Sequence, residues 1–322
     1  MLTFGDALNE AHRIVLRREP NSFVIGQGVN NPWFVGRTTT GLMDEFGPNR
    51  IMDAPVSEAG MTGACIGAAM AGMKPIVFHP RMDFMYLTLD QVINHCASWN
   101  YMFNGRVCVP IVIRGIVNRG GEQGAQHSQS PFGIWANIPG LKVVTPATPA
   151  DAKGLFIAAV NDPNPVIYID DRWLYDIEGE VPEDDYETPL GKAHVLRVGS
   201  DVSIIAASFM TAEAVKAADI LRGEGISCEV VDLRTLKPLD TSTVVSSVRK
   251  TRRAVVTIAE WPFASVAASV AEKIYGALFS QLQAPVELVT LPDCPAPAAS
   301  SLEKVYYVTA RDIVMAAKRT LS

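Results

Sequence analysis

The sequence predicts an α/β protein of two domains, each a mainly parallel sheet covered by helices. Short β-branched runs alternate with helical patterns along all 322 residues. Most of the runs are apolar throughout, as expected of strands covered on both faces. One polar, acidic stretch, residues 177–187, breaks the rhythm and reads as an exposed linker. The boundary is therefore placed near residue 185, giving domains 1–185 and 186–322. Domains average ~150 residues, so each part is long enough to bury a core of its own.

The strands of the first domain are predicted at 22–26, 75–78, 110–114, 142–145 and 166–169. Those of the second are predicted at 202–206, 228–233, 254–258 and 286–289. Helical patterns occupy 4–18, 59–71, 87–100, 149–161, 211–224, 265–275 and 310–320, and they supply the crossovers a parallel sheet needs. The segment 59–73 is made almost entirely of Gly and Ala. Each glycine inside a helix costs roughly 0.5–1 kcal/mol relative to alanine, so another backbone or a ligand should approach closely. A tightly packed internal helix and a helix at a subunit seam both satisfy that requirement.

Composition narrows the function. Lys plus Arg number 28 and Asp plus Glu 34, a net charge of −6 that suggests neither a nucleic-acid groove nor a membrane-binding patch. At 48% apolar and 19% charged, the chain is expected to bury subunit contacts, and a monomer is disfavoured. Met1-Leu2-Thr3-Phe4-Gly5-Asp6 has no signal-peptide pattern, and 59–73 is too short to span a membrane. The five cysteines are scattered without a Cys-x-x-Cys pair. They read as free thiols in a reducing cytoplasm.

Four segments carry chemistry. Gly26-Gln27-Gly28 follows a strand like a dinucleotide fingerprint, but the third glycine is absent and Asn31-Pro32-Trp33 does not open a helix. Glu58, after Pro55-Val56-Ser57, falls in the first turn of the small-residue helix. It either serves the helix dipole, with Ser57 as the cap, or is a partly buried acid whose pKa rises toward the range useful for proton exchange. His127 follows a glycine-rich loop that leaves a predicted parallel strand, where such sheets place ligands. In Phe78-His79-Pro80-Arg81-Met82-Asp83-Phe84 an aromatic is core or stacking platform, and Arg81 pairs with Asp83 or faces another partner. No histidine pair has the spacing of a zinc site.

Several segments together carry a resemblance. They are Val56-Ser57-Glu58-Ala59-Gly60 with Gly67-Ala68-Ala69-Met70-Ala71-Gly72, Leu89-Asp90-Gln91-Val92-Ile93-Asn94, Ala125-Gln126-His127-Ser128-Gln129, Pro139-Gly140-Leu141-Lys142-Val143-Val144, and Asp232-Leu233-Arg234-Thr235-Leu236-Lys237-Pro238. The chain resembles the beta subunit of the thiamine-diphosphate-dependent first component of 2-oxo acid dehydrogenase complexes, of the pyruvate dehydrogenase type, within the transketolase-like superfamily. The resemblance runs from about residue 3 to residue 321 in colinear order. It implies a pyrimidine-binding domain followed by a transketolase C-terminal-type domain. Glu58 matches the acid that hydrogen-bonds the aminopyrimidine, and Phe84 an aromatic that packs on it. His127 matches a histidine that positions substrate and assists acyl transfer to a lipoyl group. Ile111, Ala159, Asp162 and Asn164 fall where some members bind potassium, mostly through backbone oxygens.

The resemblance also implies what this chain does not hold. No Gly-Asp-Gly occurs in it, so magnesium and the diphosphate are expected on an alpha subunit, in an assembly of two alpha and two beta chains. A lipoyl-bearing acyltransferase is the further partner. Three departures stand out. Gln27 replaces a glutamate of an acidic proton path, Arg81 lies in the stacking segment, and Glu260-Trp261-Pro262-Phe263-Ala264-Ser265 replaces a glycine-rich turn. Arg81 favours a substrate more polar or anionic than pyruvate. A split transketolase without a lipoyl partner and a non-catalytic assembly subunit are the alternative functions. Pyruvate, a branched-chain or acidic 2-oxo acid, acetoin and a ketose all stay open as substrates.

Overall fold

The apolar runs become parallel strands with helices between them. The structure, a computed structural model, describes residues 1–30 and 36–322, so the Asn31-Pro32-Trp33 segment lies outside the described residues. The chain forms two compact units, Met1–Arg119 with Ile134–Leu190, and Gly120–Gly133 with Gly191–Ser322. Gly120–Gly133, which carries His127, thus groups with the later part of the chain.

In the first unit β1 (Leu2–Thr3) precedes α1 (Phe4–Arg18). Then come β2 (Ser22–Gly26), α2 (Leu42–Phe46), β3 (Ile51–Asp53), α3 (Glu58–Met70) and β4 (Lys74–His79). After two irregular helical turns and α4 (Trp99–Met102) follow β5 (Val112–Val117), α5 (Phe132–Asn137, whose first two residues group with the second unit), β6 (Lys142–Val144), α6 (Pro149–Asn161) and β7 (Val166–Asp171). The strands lie in the order β6-β7-β5-β4-β2-β3, all parallel. β5 and β7 are buried along their whole length, including the charged Arg114 on β5 and Asp170 and Asp171 on β7. Thr3 caps α1 by accepting the Asp6 N–H, and Thr148 caps α6 ahead of Pro149, which suits the first helical turn.

The acidic stretch is exposed as its composition predicts, but it is anchored to the first unit instead of hanging as a free linker. Its β8 (Glu178–Gly179) pairs antiparallel with β1. The Lys153 ammonium donates to the carbonyls of Pro182 (2.7 Å) and Glu183 (3.3 Å), and the Tyr186 hydroxyl donates to the Ala150 carbonyl. This packing explains Gly154 inside α6, because a Cβ there would lie 2.3 Å from the Thr188 hydroxyl.

The second unit contains β9 (His194–Arg197), β10 (Val202–Ala206), α7 (Phe209–Gly223), β11 (Cys228–Asp232), β12 (Thr235–Lys237), α8 (Thr241–Thr251) and β13 (Ala254–Thr257). It closes with α9 (Val266–Leu278), β14 (Glu287–Val289), α10 (Ser300–Tyr306) and α11 (Ala310–Leu321). Its main sheet runs β14-β13-β10-β11-β9, with only β9 antiparallel to its neighbour. The core joins Val202, Ile204, Met210, Val230 and Val255 to Ile313 and Ala317 of α11, whose apolar positions recur at helical spacing.

Asp240 caps α8 with its side chain. One oxygen accepts from the Thr243 N–H (3.1 Å), the other from the Ala193 N–H (3.1 Å). The Ser242 and Thr243 hydroxyls also donate to it. Burial alone would raise its pKa, but these hydrogen bonds prevail and hold it at about 2. Because the folded value lies below the unfolded one, the stabilisation is full above the ordinary aspartate range and is lost as pH falls toward 2. Replacing Asp240 with Ala is expected to cost about 1 kcal/mol at neutral pH. Urea denaturation at pH 7 and at acid pH should show the difference from wild type shrinking as the buffer becomes more acid.

Candidate active site

Glu58 opens α3 and is only 5% exposed, although it stands beside exposed residues. The Gln27 amide reaches it from the turn after β2, donating from Nε2 to Oε1 at 3.1 Å. Ser57 does not cap the helix with its side chain, contrary to one of the sequence readings. Its hydroxyl instead sits over Gly60, where a Cβ would lie 2.8 Å away. The carboxylate therefore lies at the positive end of a 13-residue helix with one oxygen engaged. Among the described residues its other oxygen has no hydrogen-bond partner.

Two glycines explain how Gln27 gets there. A Cβ at Gly26 would lie 2.5 Å from the Phe78 backbone, so β2 and β4 approach closely only with glycine at this position. Gly28 takes a φ of +70° and its N–H donates to Asp53 Oδ1 at 2.6 Å. The dinucleotide-like glycines thus shape a turn between strands.

Beyond β4 the chain enters a tight 3-10 segment, Met82–Thr88, that packs on α3. Phe78 is wholly buried and belongs to the core, whereas Phe84 in this segment is half-buried and keeps part of its surface open. Arg81 is also half-buried, and its Nη1 donates to the Pro80 carbonyl at 2.7 Å. Burial, then the charge of Arg172, pull the Arg81 pKa down, while Asp83 acts in the opposite sense. An anion entering here would relieve two neighbouring cations. His79, buried at the end of β4, is pushed down to about 4 by burial and shares a hydrogen bond with the Thr62 hydroxyl of α3 (3.2 Å). Glu58, Gln27, Arg81 and Phe84 all lie just past the carboxyl ends of parallel strands, where such sheets bind ligands.

His127 lies in the second unit's Gly120–Gly133 segment. It is half-exposed, and its backbone N–H donates to the Gly124 carbonyl at 3.3 Å. Ser128 and Ser130 on either side of Gln129 are buried.

The four residues matched to a potassium site gather around one turn. The Ile111 carbonyl accepts from Val166, the Ala159 carbonyl from Asp162, and Asp162 Oδ1 from the Asn164 N–H. The other carboxylate oxygen of Asp162 pairs with Lys142. Carbonyl oxygens keep a second lone pair, which leaves these groups able to accept a further contact. No group of three or more His, Cys, Asp or Glu side chains suited to a metal occurs among the described residues. No helix among them is long and apolar enough to cross a membrane. All five cysteines are free, with Cys65, Cys96 and Cys228 buried and Cys108 and Cys294 exposed.

Sequence reasoning assigned no role to two acids. Glu260 is 3% exposed, and burial pushes it up to about 8 against backbone N–H groups of Ala267, Val266 and Gly133 that favour its charged form. Glu122 carries a φ of +60°, a conformation no composition rule assigns to glutamate.

Two family models match the chain: the transketolase pyrimidine binding domain over residues 1–176 and the transketolase C-terminal domain over residues 191–313. The pyruvate dehydrogenase E1 component subunit beta of Rickettsia felis is 39% identical over 99% of this chain and 98% of its own. The acetoin:2,6-dichlorophenolindophenol oxidoreductase subunit beta of Bacillus subtilis is 40% identical over 98% of this chain and 95% of its own. The mitochondrial pyruvate dehydrogenase E1 component subunit beta-1 of Arabidopsis thaliana is 41% identical over 99% and 89%. A solved split-gene transketolase, described as an inactive beta4 tetramer, matches in fold with a TM-score of 0.79 at 23% identity, covering 99% of this chain and 98% of its own.

The Gln27–Glu58 contact has a direct consequence. In a Gln27→Glu variant two carboxyl groups share that contact and compete for one proton. The pair should titrate in two steps, the upper one above the ordinary carboxylate range. NMR titration of glutamate-labelled variant and wild-type protein would show it, and two ordinary titrations would refute the contact.

Proposed function

The chain belongs to the family of pyruvate and acetoin dehydrogenase E1 beta subunits, built from transketolase pyrimidine-binding and C-terminal domains, and on that premise we propose that it is the beta subunit of a thiamine-diphosphate-dependent 2-oxo acid dehydrogenase. The reaction is oxidative decarboxylation of a 2-oxo acid with acyl transfer to a lipoyl group. The observation that carries this reading is Glu58, a buried carboxyl with one oxygen held by Gln27 and the other available at the start of α3. That arrangement, with the half-buried Phe84 ring on the segment packed against α3, fits a flat heterocycle carrying a ring nitrogen.

When bound, thiamine diphosphate supplies a nucleophilic carbon and an electron sink for decarboxylation. Glu58 would hold a proton at the pyrimidine ring nitrogen of the bound cofactor. Gln27 fixes the carboxyl's orientation by donating to Oε1. Phe84 offers its ring face to the heterocycle. His127 positions the substrate and assists the acyl transfer, and Arg81 attracts an anionic group on the substrate. The backbone oxygens of Ile111, Ala159, Asp162 and Asn164 would hold a potassium ion away from the chemistry.

The missing Gly-Asp-Gly supports an alpha subunit that grips magnesium and the diphosphate, in an assembly of two alpha and two beta chains active only together. The outward glycine and alanine face of α3 supports its burial at a subunit seam. Five free thiols support a reducing compartment, which we read as the cytoplasm.

The test is co-expression with the alpha subunit whose reading frame carries Gly-Asp-Gly. The reconstituted enzyme should decarboxylate a 2-oxo acid, reduce a dye acceptor and acylate a lipoyl domain. Glu58→Ala should lower all three by about 10²–10⁴-fold. Two-carbon transfer without lipoyl acylation would point instead to a split transketolase. Activity of the isolated chain equal to that of the complex would refute the shared site.

Arg81 carries a separate expectation about specificity. Arg81→Ala should raise KM for an acidic 2-oxo acid by about tenfold, equivalent to roughly 1.4 kcal/mol, and leave KM for pyruvate nearly unchanged. Steady-state kinetics on the two substrates decide it. An unchanged preference removes Arg81 from the substrate site.

A further inference from the structure

We propose that the second unit grips the Gly120–Gly133 loop at both ends, and that Glu122 is the positioning residue through which this grip presents His127. The inference rests on the reading of His127 given above. Glu122 takes a φ of +60°, directly after Gly120 and Gly121 at +60° and +70°. A third glycine would adopt that conformation at little cost, whereas glutamate is strained in it. Something about the side chain offsets the strain.

The contacts identify what that is. One carboxylate oxygen of Glu122 accepts from the Ser300 N–H at 3.2 Å, the first residue of α10. The residue before it, Ala299, has no side-chain acceptor to cap the helix, so Glu122 supplies the cap from the loop. The exchange is reciprocal, because the Glu122 N–H donates to the buried Glu303 Oε1 of the same helix at 2.9 Å. Beside it, the Gly120 N–H donates to the Tyr307 hydroxyl at 3.0 Å.

The far end of the loop is held by a second acid. Gly133 donates its N–H to the buried Glu260, which also accepts from Ala267 at 2.9 Å in the first turn of α9. A Cβ at Gly133 would lie 2.8 Å from the Ala264 carbonyl, so the approach is as close as the backbone allows. In between, the Cβ of Ala298 would sit 3.4 Å from a side chain at Gly124. His127 therefore sits on a segment fixed at 120–122 and at 133, and its position follows from α10 and α9 of the second unit.

Glu122→Gly separates this role from a purely structural one, because it removes strain together with the cap. In the complete alpha–beta enzyme its melting temperature should match or exceed that of wild type. Amide hydrogen exchange across 123–130 should accelerate by about tenfold. Lipoyl acylation should slow by about 10–10²-fold, and dye-coupled decarboxylation should fall by distinctly less. Glu122→Gln, which retains an acceptor for Ser300, should restore most of the acylation. Unchanged exchange, or an equal fall in both half-reactions, overturns the proposal. If the wild-type enzyme acylates no lipoyl domain, the functional reading fails, and the exchange measurement still decides whether the loop is gripped.

Discussion

A guanidinium in the middle of a fully covered sheet governs the geometry of the candidate site. Arg114 on β5 has no exposed surface. Its Nε and Nη2 donate to the two oxygens of Asp170 at 3.0 and 2.7 Å, and Nη1 donates to Thr38 at 2.9 Å. Its charge lies 4.7 Å from the centre of the Phe78 ring. A buried charge is tolerated only when it is paired and fully hydrogen-bonded, and losing one partner typically costs about 3–5 kcal/mol. The network therefore locks β4, β5 and β7 together near their carboxyl ends. It also fixes Phe78, whose backbone leaves room only for glycine at position 26. That close approach sets where β2 ends and where Gln27 points, and Gln27 meets Glu58. A core ion pair thus reaches the candidate acid through contacts that each have a steric or electrostatic cause.

Much of the fold was legible because unbroken apolar runs have few alternatives to a covered strand. The runs at 22–26 and 202–206 are strands over those same residues, and 4–18 and 149–161 are helices over theirs. Failures arose where tertiary contacts override local pattern. Residues 87–100 read as one helix, but the chain makes a 3-10 segment, then a wide π turn at Asp90–Cys96, then α4. Met82 and Met85 are driven onto Gly115, where a Cβ would lie 2.3 Å from the Met85 sulfur, and that docking sets the turn. Helix α8 was missed because Thr-Ser-Thr-Val-Val has the β-branched composition of a strand, and its decisive signal is the Asp240 cap. The antiparallel β9 and the short β3 and β12 are too brief to show a pattern.

The site divides along similar lines. Glu58 could be singled out because a carboxylate at the head of a small-residue helix is chemically conspicuous. Its contact with Gln27 spans 31 positions and depends on strand order, which composition does not encode. Glu122 was hidden for another reason. Its significance is a backbone angle, and only the fold shows that glutamate occupies a place suited to glycine. Chain order misleads in the same region, since Gly120–Gly133 lies between strands of the first unit in sequence but packs as part of the second.

Helix α3 carries both the candidate acid and a face poor in side chains. Gly60, Ala64 and Gly67 face outward, and a Cβ at Gly67 would meet nothing within 4 Å. Among the described residues, then, no neighbour requires that glycine, and an alanine there would hold the helix better by about 0.5–1 kcal/mol. The tightly packed internal helix, one of the two readings of this segment, does not account for that face. A flat, side-chain-poor surface is useful when a second backbone must come close, and the low charged fraction of 19% has the same implication for the surface as a whole. Glu58 is the first residue of this helix. Any partner that docked on the small-residue face would therefore act on the backbone that carries the Glu58 carboxyl.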